Sequence, residues 1–233
     1  MNAGAELTIT PLPVTAEAAA AFPGLLVPTV RAAVGNREAV AAAAEEGWQA
    51  LYQRWRDADE AELLESGNVG GYLDLGRALG LAPDRHPPSI VALVNRGLRG
   101  RPPGSWPRIN PVVDIVNVVA VRTLTSLGVF DAGKLEGQVR VALAQGDEGF
   151  VALGAKKPIR LGKGELVLRD DSRVLSLFAR RDGVHQAVTP DTIDTLVLGC
   201  VVPGVDGASV ADALVEVHHL LTPLDPGPTS RQR

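Results

Sequence analysis

The sequence predicts an α+β fold, because helical patterns fill its first half and short strands its second. Between residues 36 and 55 the apolar side chains recur at steps of three and four, which is typical of a helix with one buried face: Val40, Ala44, Trp48, Leu51 and Trp55. From Gly137 onward the period changes to two. Helices and strands do not alternate along the chain, so a regular βαβ protein is not expected.

The N-terminal third predicts one strand and one long helix. Residues 1–21 are rich in alanine and are expected to form a loose segment. Residues 25–34 have the composition of a strand, in which Pro28 indicates an edge position or a bulge. Asn36 is then a suitable N-cap for a helix that continues to Trp55.

The middle of the chain predicts three further helices. Two short ones are expected at about residues 72–79 and 89–98, followed by a loop over 96–108 that is rich in arginine and proline. Asn110 is positioned to cap the third helix, over 112–123, and Pro111 occupies its first turn, where proline is well tolerated.

The second half predicts a series of short strands and a last helix. Val139, Val141 and Leu143 alternate with polar or small residues. The further strands are expected at about residues 150–153, 159–161, 165–169, 174–179 and 195–202. A helix over about 209–221 follows, and residues 222–233 are expected to form a disordered tail.

Composition excludes several classes of protein. The chain has 233 residues and a formal net charge of -4, which argues against a protein that coats nucleic acid non-specifically. The single cysteine, Cys200, excludes an internal disulfide framework and a cysteine-only metal site, so no metal and no cofactor are expected. No apolar stretch has the length of a membrane span and the first residues lack the pattern of a signal peptide, so a cytoplasmic protein is expected.

Four motifs carry a resemblance to a known family. They are Pro107-Arg108-Ile109-Asn110-Pro111-x-Val113-Asp114-x-x-Asn117, Gly128-Val129-Phe130-Asp131-x-x-Lys134-Leu135-Glu136-Gly137, Leu168-Arg169-Asp170-Asp171 and Thr189-x-Asp191-Thr192. In this order the motifs resemble stand-alone B3/B4 domain proteins, relatives of the editing domain of the phenylalanyl-tRNA synthetase beta subunit. The resemblance covers roughly residues 22–221, which we therefore treat as one B3/B4-like domain.

The resemblance implies a fold and an activity. The fold would be layered sheets of unusual topology with flanking helices around a pocket. The activity would be a trans-acting aminoacyl-tRNA deacylase, which clears a mischarged amino acid from tRNA, and the partner would be the aminoacylated 3′ end of tRNA. The sequence contains no G-x-x-x-x-G-K-[ST] phosphate loop, so no ligase activity is expected.

The candidate substrate residues start with Asp114 and Asn117. They lie three positions apart in an otherwise apolar helix, so they share a face. They either line a pocket or tie the helix to a neighbouring loop, for example near Gly128 or Asp131. Further candidates for the substrate site are Gly128, Ser176, Phe178 and Thr192, although Phe178 could equally belong to the core and Thr192 could act as a cap. Asp131, Lys134 and Glu136 have the character of turn residues.

Two positions depart from the family. The family's histidine falls at Gly128, and its glutamate falls at Leu198 or Gly199. No serine, histidine and aspartate set suitable for nucleophilic catalysis is present either, so no catalytic residue is assigned. The alternative to a deacylase is therefore a non-catalytic module that binds tRNA or an amino acid.

Basic side chains are the candidates for contact with tRNA. They are Arg108, Lys156, Lys157, Arg160, Arg180 and Arg181. On an acidic protein such residues could form one surface for phosphate groups. Solvated loops also collect lysine and arginine, so a simple exposed loop is the alternative for each cluster. The sequence does not indicate an oligomeric state.

Overall fold

The computed structural model describes residues 7–222, which form an α+β fold as predicted. Its helices are α1 Ala16–Ala21, α2 Arg37–Trp55, α3 Glu60–Leu64, α4 Val69–Ala78, α5 Ser89–Gly97, α6 Pro111–Thr123 and α7 Gly207–Leu221, with a 3-10 turn at Ala132–Lys134. Its strands are β1 Thr10–Pro11, β2 Pro28–Ala33, β3 Leu127–Asp131, β4 Arg140–Leu143, β5 Gly149–Phe150, β6 Ile159–Arg160, β7 Leu166–Arg169, β8 Val174–Leu177, β9 Arg181–Asp182 and β10 Asp194–Gly199.

The first sheet brings distant parts of the chain together. Its strand order is β1-β2-β10-β3, and each of these pairs is antiparallel. Val197 on β10 lies opposite Val30 on one side and Val129 on the other. Side chains alternate between the two faces of a strand, so Val197 belongs to one core cluster while Leu196 and Leu198 belong to another.

Helices α6 and α7 cover one face of the first sheet. Their valines and leucines pack with Val30 and Val197, together with Val40 and Ala44 from α2. The opposite face shares its core cluster with the second sheet, whose strand order is β4-β7-β8-β9. The molecule is therefore layered: helices, the first sheet, and then the second sheet.

The second sheet carries a β-bulge. Leu168 lies opposite Ser176 and Arg169 lies opposite Val174, so Leu175 is an extra residue on β8. Leu175 joins the main core cluster, whereas Val174 and Leu177 belong to a third cluster beneath the β5–β6 hairpin. The strand predicted at about residues 174–179 is therefore irregular at Leu175.

The N-terminal segment differs from its prediction. The expectation of a loose segment over residues 1–21 is wrong for residues 10–21, because β1 pairs with β2 and α1 follows with Thr15 as its N-cap. Ala18 is fully buried, so α1 is anchored by packing. Residues 1–6 and the expected tail beyond Thr222 lie outside the described residues.

Two other expectations are corrected. Strand β2 lies inside the sheet and not at its edge, since Pro28 is its first residue and pairs with Pro11 of the two-residue β1. Helix α4 begins at Val69, three residues before the start expected at about residue 72. Gly71 permits close packing, because a Cβ there would lie 2.9 Å from the carbonyl oxygen of Pro203.

No helix in residues 7–222 combines the length and apolar character needed to cross a membrane.

Candidate functional site

Asp114 lies in the first turn of α6, where two side chains, those of Asn110 and Asp114, each accept a hydrogen bond from the backbone. The Asn110 side chain accepts a hydrogen bond from the backbone N–H of Val113 at 3.0 Å. In return, Oδ1 of Asp114 accepts one from the backbone N–H of Ile109 at 2.9 Å. Asp114 thus ties the helix to the preceding loop, and its partner is Ile109, not the backbone near Gly128 or Asp131.

Asp114 also lines a pocket between α2 and α6. The cavity has a volume of about 240 Å³ and is lined by Ala41, Ala44, Glu45, Trp48, Arg108, Pro111 and Asp114. The four residues from α2 occupy one helical face, because they are spaced at three and four positions. Small alanine side chains on this face leave the space that the pocket occupies.

An ion pair borders the pocket. The Arg108 guanidinium donates to both carboxylate oxygens of Glu45, at 3.0 and 3.1 Å from Nη2, and Nη1 donates to the Gly104 carbonyl at 3.0 Å. The Trp106 indole N–H also donates to Glu45, at 3.4 Å. Burial alone would raise the pKa of Glu45, but these hydrogen bonds and the Arg108 charge lower it.

Two polar side chains of the pocket are buried, Asp114 and Trp48. Asp114 is 9% exposed, and burial raises the pKa of its carboxyl above the ordinary value even though Ile109 and Arg108 act in the opposite direction. The backbone of Ile109 and Asn110 holds the Asp114 carboxylate through hydrogen bonds. Trp48 is 1% exposed, and its indole N–H has no hydrogen-bond partner within residues 7–222.

Asn117 lies on α6 but is not among the residues that line this pocket. Its side chain is half-buried, and in the described part of the chain its amide makes no hydrogen bond. The structure therefore does not join Asp114 and Asn117 in one cavity. Asp114 is held by the helix start, whereas Asn117 keeps its amide available.

Gly128 and Leu198 lie directly opposite one another on β3 and β10. A Cβ at Gly128 would have Leu198 Cδ1 as its nearest neighbour, at 3.7 Å, so a side chain would fit there. Gly199 faces α7, where a Cβ would lie 2.4 Å from Val210 Cγ1. Of the two positions predicted for the second departure, Leu198 therefore lies opposite Gly128, whereas Gly199 faces α7.

Thr192 belongs to a structural cluster with Asp131. Its hydroxyl donates to Oδ2 of Asp131 at 2.6 Å and accepts from the Thr189 N–H at 2.9 Å. Lys134 Nζ lies 3.3 Å from the same carboxylate and donates to the Ala187 carbonyl at 2.7 Å. These bonds use the capacity of Thr192, so it holds the turn after β3 in place, which agrees with the turn character expected of Asp131 and Lys134.

Ser176 on β8 and Phe178, the residue that follows this strand, are both buried. The Ser176 hydroxyl donates to the Arg181 carbonyl at 3.3 Å, and the residue opposite, Leu168, belongs to the same core cluster as Phe178. Phe178 is 7% exposed and packs within that cluster. The alternative in which Phe178 is a core residue therefore describes the structure, and its ring is not available to stack on a ligand.

The candidate basic residues divide into paired and unpaired side chains. Arg108 pairs with Glu45, Arg180 pairs with Glu165 at 2.8 Å, and Arg160 donates to the Gly146 carbonyl at 3.0 Å. Three exposed side chains have no partner in residues 7–222: Lys156, Lys157 and Arg181. The two lysines follow β5, and Arg181 lies on β9, beside the bridge that joins Ala152 to Gly183. Arg108 lies at the α2–α6 pocket. The six basic residues therefore do not all lie near the β5–β6 hairpin and β9.

Glu45 and Trp48 are site residues that the sequence analysis did not identify. Trp48 was assigned only to the buried stripe of α2, and Glu45 was not considered. Their spacing of three positions places them on one face, but nothing in the sequence shows which helix that face meets. No group of three or more His, Cys, Asp or Glu side chains within residues 7–222 is arranged to hold a metal ion.

Comparison with known proteins identifies the family. The B3/4 domain family matches residues 77–216, which is more than half of the chain. The phenylalanine–tRNA ligase beta subunit of Vibrio cholerae is 35% identical over 88 residues, and that of Shewanella oneidensis is 34% identical over 92 residues. These matches cover 38% and 40% of this chain but 11% of each relative, so the chain corresponds to about a tenth of their length.

Among solved structures, an N-terminal fragment of the phenylalanyl-tRNA synthetase beta subunit from Pyrococcus horikoshii is similar to part of the chain. It has a TM-score of 0.40 and 17% identity, and the similarity covers 48% of this chain and 40% of that one. The family match over residues 77–216 includes α6, both strands of the Gly128–Leu198 pair and the Asp131–Thr192 cluster. The chain belongs to the B3/4 domain family.

Proposed function

We propose that this chain binds aminoacyl-tRNA and hydrolyses the ester bond of a mischarged amino acid. The match to phenylalanine–tRNA ligase beta subunits carries the proposal, since the names of those relatives connect the family with tRNA. The described residues support it with two features, an uncommitted amide on α6 and a set of unpaired cations near the second sheet.

The amide of Asn117 is the group assigned to the substrate. It is half-buried and lacks a partner in residues 7–222, whereas Asp114, Ser176 and Thr192 already hold protein groups. An amide supplies both a donor and an acceptor, so Asn117 can bind the ester carbonyl or the amino group of the aminoacyl end. Holding the ester next to a water molecule accelerates its hydrolysis without a protein nucleophile.

The ribose of the substrate supplies the remaining chemistry in this proposal. An aminoacyl ester is labile, and a hydroxyl lies next to the ester oxygen on the ribose. That hydroxyl can position the attacking water through a hydrogen bond, so the absence of a histidine at Gly128 is compatible with hydrolysis. The space beside Gly128 and the apolar side chain of Leu198 would then bind part of the acyl group.

The phosphate contacts are assigned to Lys156, Lys157 and Arg181. They are exposed and have no carboxylate partner in the described residues, so their charge is not neutralised within the protein. Each phosphate contact releases counterions from the RNA, which makes binding weaker as salt concentration rises. Replacing both lysines with alanine should therefore lower affinity and reduce the salt dependence of binding.

A non-catalytic binding module is the second candidate. It is favoured by the Gly128–Leu198 pair, where two apolar or absent side chains face each other on neighbouring strands. In that case the chain would bind charged tRNA and protect or deliver it. The two candidates share the same binding surface and differ only in whether the ester is cleaved.

The test follows the ester bond directly. Purified protein is mixed with tRNA charged separately with phenylalanine, tyrosine and a panel of other amino acids, and loss of each ester is measured. Faster loss of one mischarged species supports hydrolysis, and Asn117→Ala should abolish that acceleration. Asn95→Ala, another half-buried asparagine on a helix, is the matched control and should retain activity.

Two other outcomes separate the candidates. Saturable binding of charged tRNA with no faster ester loss across the panel would establish the binding module. Neither binding nor ester loss, with the protein folded, would refute the proposed connection with tRNA.

A further inference from the structure

The segment that follows β9 forms hydrogen bonds with the β5–β6 hairpin. The Leu153 N–H donates to the Asp182 carbonyl at 2.8 Å, and the Val184 N–H donates to the Val151 carbonyl at 3.0 Å. The segment therefore extends the hairpin into a three-stranded surface, which has β6 on its other side. The register of these bonds decides which side chains share a face.

One face of this three-stranded surface is buried and the other is exposed. Phe150 and Ala152 pack in the third core cluster, so Val151 and Leu153 point to the opposite face. Val184 shares that opposite face, because it lies across from Val151 on the neighbouring strand. Leu153 is 56% exposed and Val184 is 41% exposed. We call the exposed side, with Val151, Leu153 and Val184, the hairpin face.

Unpaired cations border the hairpin face. Lys156 and Lys157 follow Leu153 in the turn of the hairpin, and Arg181 lies on β9 next to Asp182. The three cations are exposed and have no carboxylate partner in the described part of the chain. The hairpin from β5 to β6 contains no acidic residue, so Asp182 is the one negative side chain beside them. Aliphatic side chains and an excess of positive charge therefore occur together here.

This combination selects the kind of partner. An RNA duplex presents phosphates and riboses and keeps its bases stacked inside, so it would leave the aliphatic side chains unmatched. An unpaired nucleotide presents a phosphate and the apolar face of a base together, and a guanidinium plane such as that of Arg181 can stack on the base. The names of the relatives connect the family with tRNA, which favours RNA over an anionic lipid surface or an acidic protein.

The hairpin face continues a face of the second sheet that leads toward the first sheet. Asp182 shares the hairpin face by alternation along its strand, and it lies opposite Ser176, which lies opposite Leu168. Leu168 belongs to the same core cluster as Leu198, the residue opposite Gly128. A strand of RNA on the hairpin face would therefore lie on the side of the second sheet that faces the Gly128–Leu198 pair.

We propose that the hairpin face binds unpaired nucleotides of RNA. Their phosphates contact Lys156 and Lys157, and their bases pack on Leu153, Val184 and the Arg181 guanidinium. The inference rests on the proposed connection with tRNA and narrows it, because the unpaired end of the tRNA, and not its helical part, then lies on this surface.

Fluorescence anisotropy with two labelled RNAs tests the preference for unpaired nucleotides. One probe is a single-stranded oligouridine of about 12 nucleotides, and the other is an RNA duplex of about the same length. A duplex carries phosphates at about twice the density of a single strand, so charge alone would favour the duplex. The wild-type protein should instead bind the single strand at least about threefold more tightly.

Two variants isolate the contacts with bases. Leu153→Ser removes an apolar contact only, so it should weaken single-strand binding about fivefold and leave duplex binding and the salt dependence unchanged. Arg181→Lys keeps the charge but loses the planar guanidinium, so it should also weaken single-strand binding at an unchanged salt dependence. Leu26→Ser is the matched control, because Leu26 is 52% exposed and lies in a bridge to Val201, and it should bind as the wild type does.

Charge variants measure the phosphate contacts. Lys156→Gln combined with Lys157→Gln should weaken binding of both RNAs, and should reduce the slope of log affinity against log salt by about 0.7 for each lysine on the single strand. Asp182→Asn removes the negative side chain from the hairpin face, so it should strengthen RNA binding. All of these positions are exposed, so the substitutions should leave the fold intact.

Several results would overturn the proposal. They are duplex binding as tight as single-strand binding, no binding of either RNA, or equal affinities of Leu153→Ser and Leu26→Ser for the single strand. The same holds if Leu153→Ser weakens binding only to vesicles of phosphatidylcholine and phosphatidylserine, since the surface would then be a lipid site.

The oligouridine carries no ester, so its binding is measured separately from hydrolysis. Ester loss from a mischarged tRNA together with a preference for the duplex would support the proposed function and refute this inference. The expected single-strand preference without ester loss from any charged tRNA would support this inference and refute hydrolysis.

Discussion

Replacing Gly47 with alanine tests how closely α2 packs on α6. A Cβ at Gly47 would lie 2.3 Å from Cγ1 of Val118 and 3.3 Å from its Cγ2. Carbon atoms in favourable contact are about 3.5–4.0 Å apart, so the helices would have to separate by about 1 Å. Val118 is 1% exposed and β-branched, so rotation of its side chain cannot relieve the contact.

Two opposing effects set the size of the change. Alanine in place of glycine inside a helix stabilises the folded state by about 0.5–1 kcal/mol. Overpacking a close core contact costs about 1–3 kcal/mol. We therefore expect Gly47→Ala to lower the free energy of unfolding by about 1 kcal/mol, and to lower the melting temperature by roughly 2–4 °C for a protein of this size.

The assay is urea unfolding of Gly47→Ala alongside three comparison proteins: Gly76→Ala, Val118→Ala and the double variant Gly47→Ala with Val118→Ala. Gly76→Ala, on α4, meets no atom within 4 Å, so it should raise the free energy of unfolding by about 0.5–1 kcal/mol. In the double variant Gly47→Ala with Val118→Ala the contact is removed. The two changes should then be less harmful together than their sum by about 1 kcal/mol or more. A Gly47→Ala protein that is as stabilised as Gly76→Ala would refute the close contact.

Three further predictions concern buried polar groups. Asp170→Ala should lower the free energy of unfolding by about 3 kcal/mol or more in urea unfolding, because the fully buried Asp170 accepts three backbone hydrogen bonds at 2.9–3.0 Å, and Asp170→Asn should cost less. Thr192→Val should cost about 1–3 kcal/mol at pH 7. Burial opposes ionisation of Asp131, but hydrogen bonds from Thr192, Lys134 and Gly133 outweigh it and lower the pKa of Asp131. That stabilisation is present above the ordinary pKa of an aspartate and is lost as pH falls through the lowered value, so the cost of Thr192→Val should shrink in acid; an equal cost at pH 3 and pH 7 would contradict the assignment. Burial raises the pKa of the Cys200 thiol to about 12, so a thiol reagent at pH 8 should modify Cys200 only after unfolding, and rapid labelling of the native protein would contradict its burial.

Local signals in the sequence predicted most helices and strands. Asn110 and Pro111 marked the start of α6 correctly, because capping depends on residues that are adjacent in sequence. In the Ala-rich N-terminal segment the capping residue Thr15 was not identified. The order of this segment comes from distant contacts, such as the bridge between Val14 and Val141 and the hydrogen bond from Leu12 N–H to the Val27 carbonyl. These tertiary contacts cannot be read from local composition.

The candidate site was predictable only in part. Asp114 stood out as a charged residue in an apolar helix, and the structure places it in a pocket. Trp48 followed the buried stripe of α2, so its sequence context did not distinguish a core tryptophan from one that lines a cavity. Whether a residue has an unpaired polar atom depends on which helix packs opposite it. The bulge at Leu175 likewise follows from the pairing of β7 with β8 and not from the sequence of β8 alone.

The central position of β10 in the first sheet has a consequence for synthesis of the chain on the ribosome. The Thr195 hydroxyl donates to the Ala32 carbonyl across 163 residues of sequence, and β3 pairs with the other edge of the same strand. At about 5–20 residues per second, β2 therefore waits roughly 8–30 s for its partner after it is made. During that time β2 and β3 both present open edges that can pair with other chains. We expect the nascent protein to need shielding by a chaperone over this interval, and to aggregate most readily when translation stops just before β10.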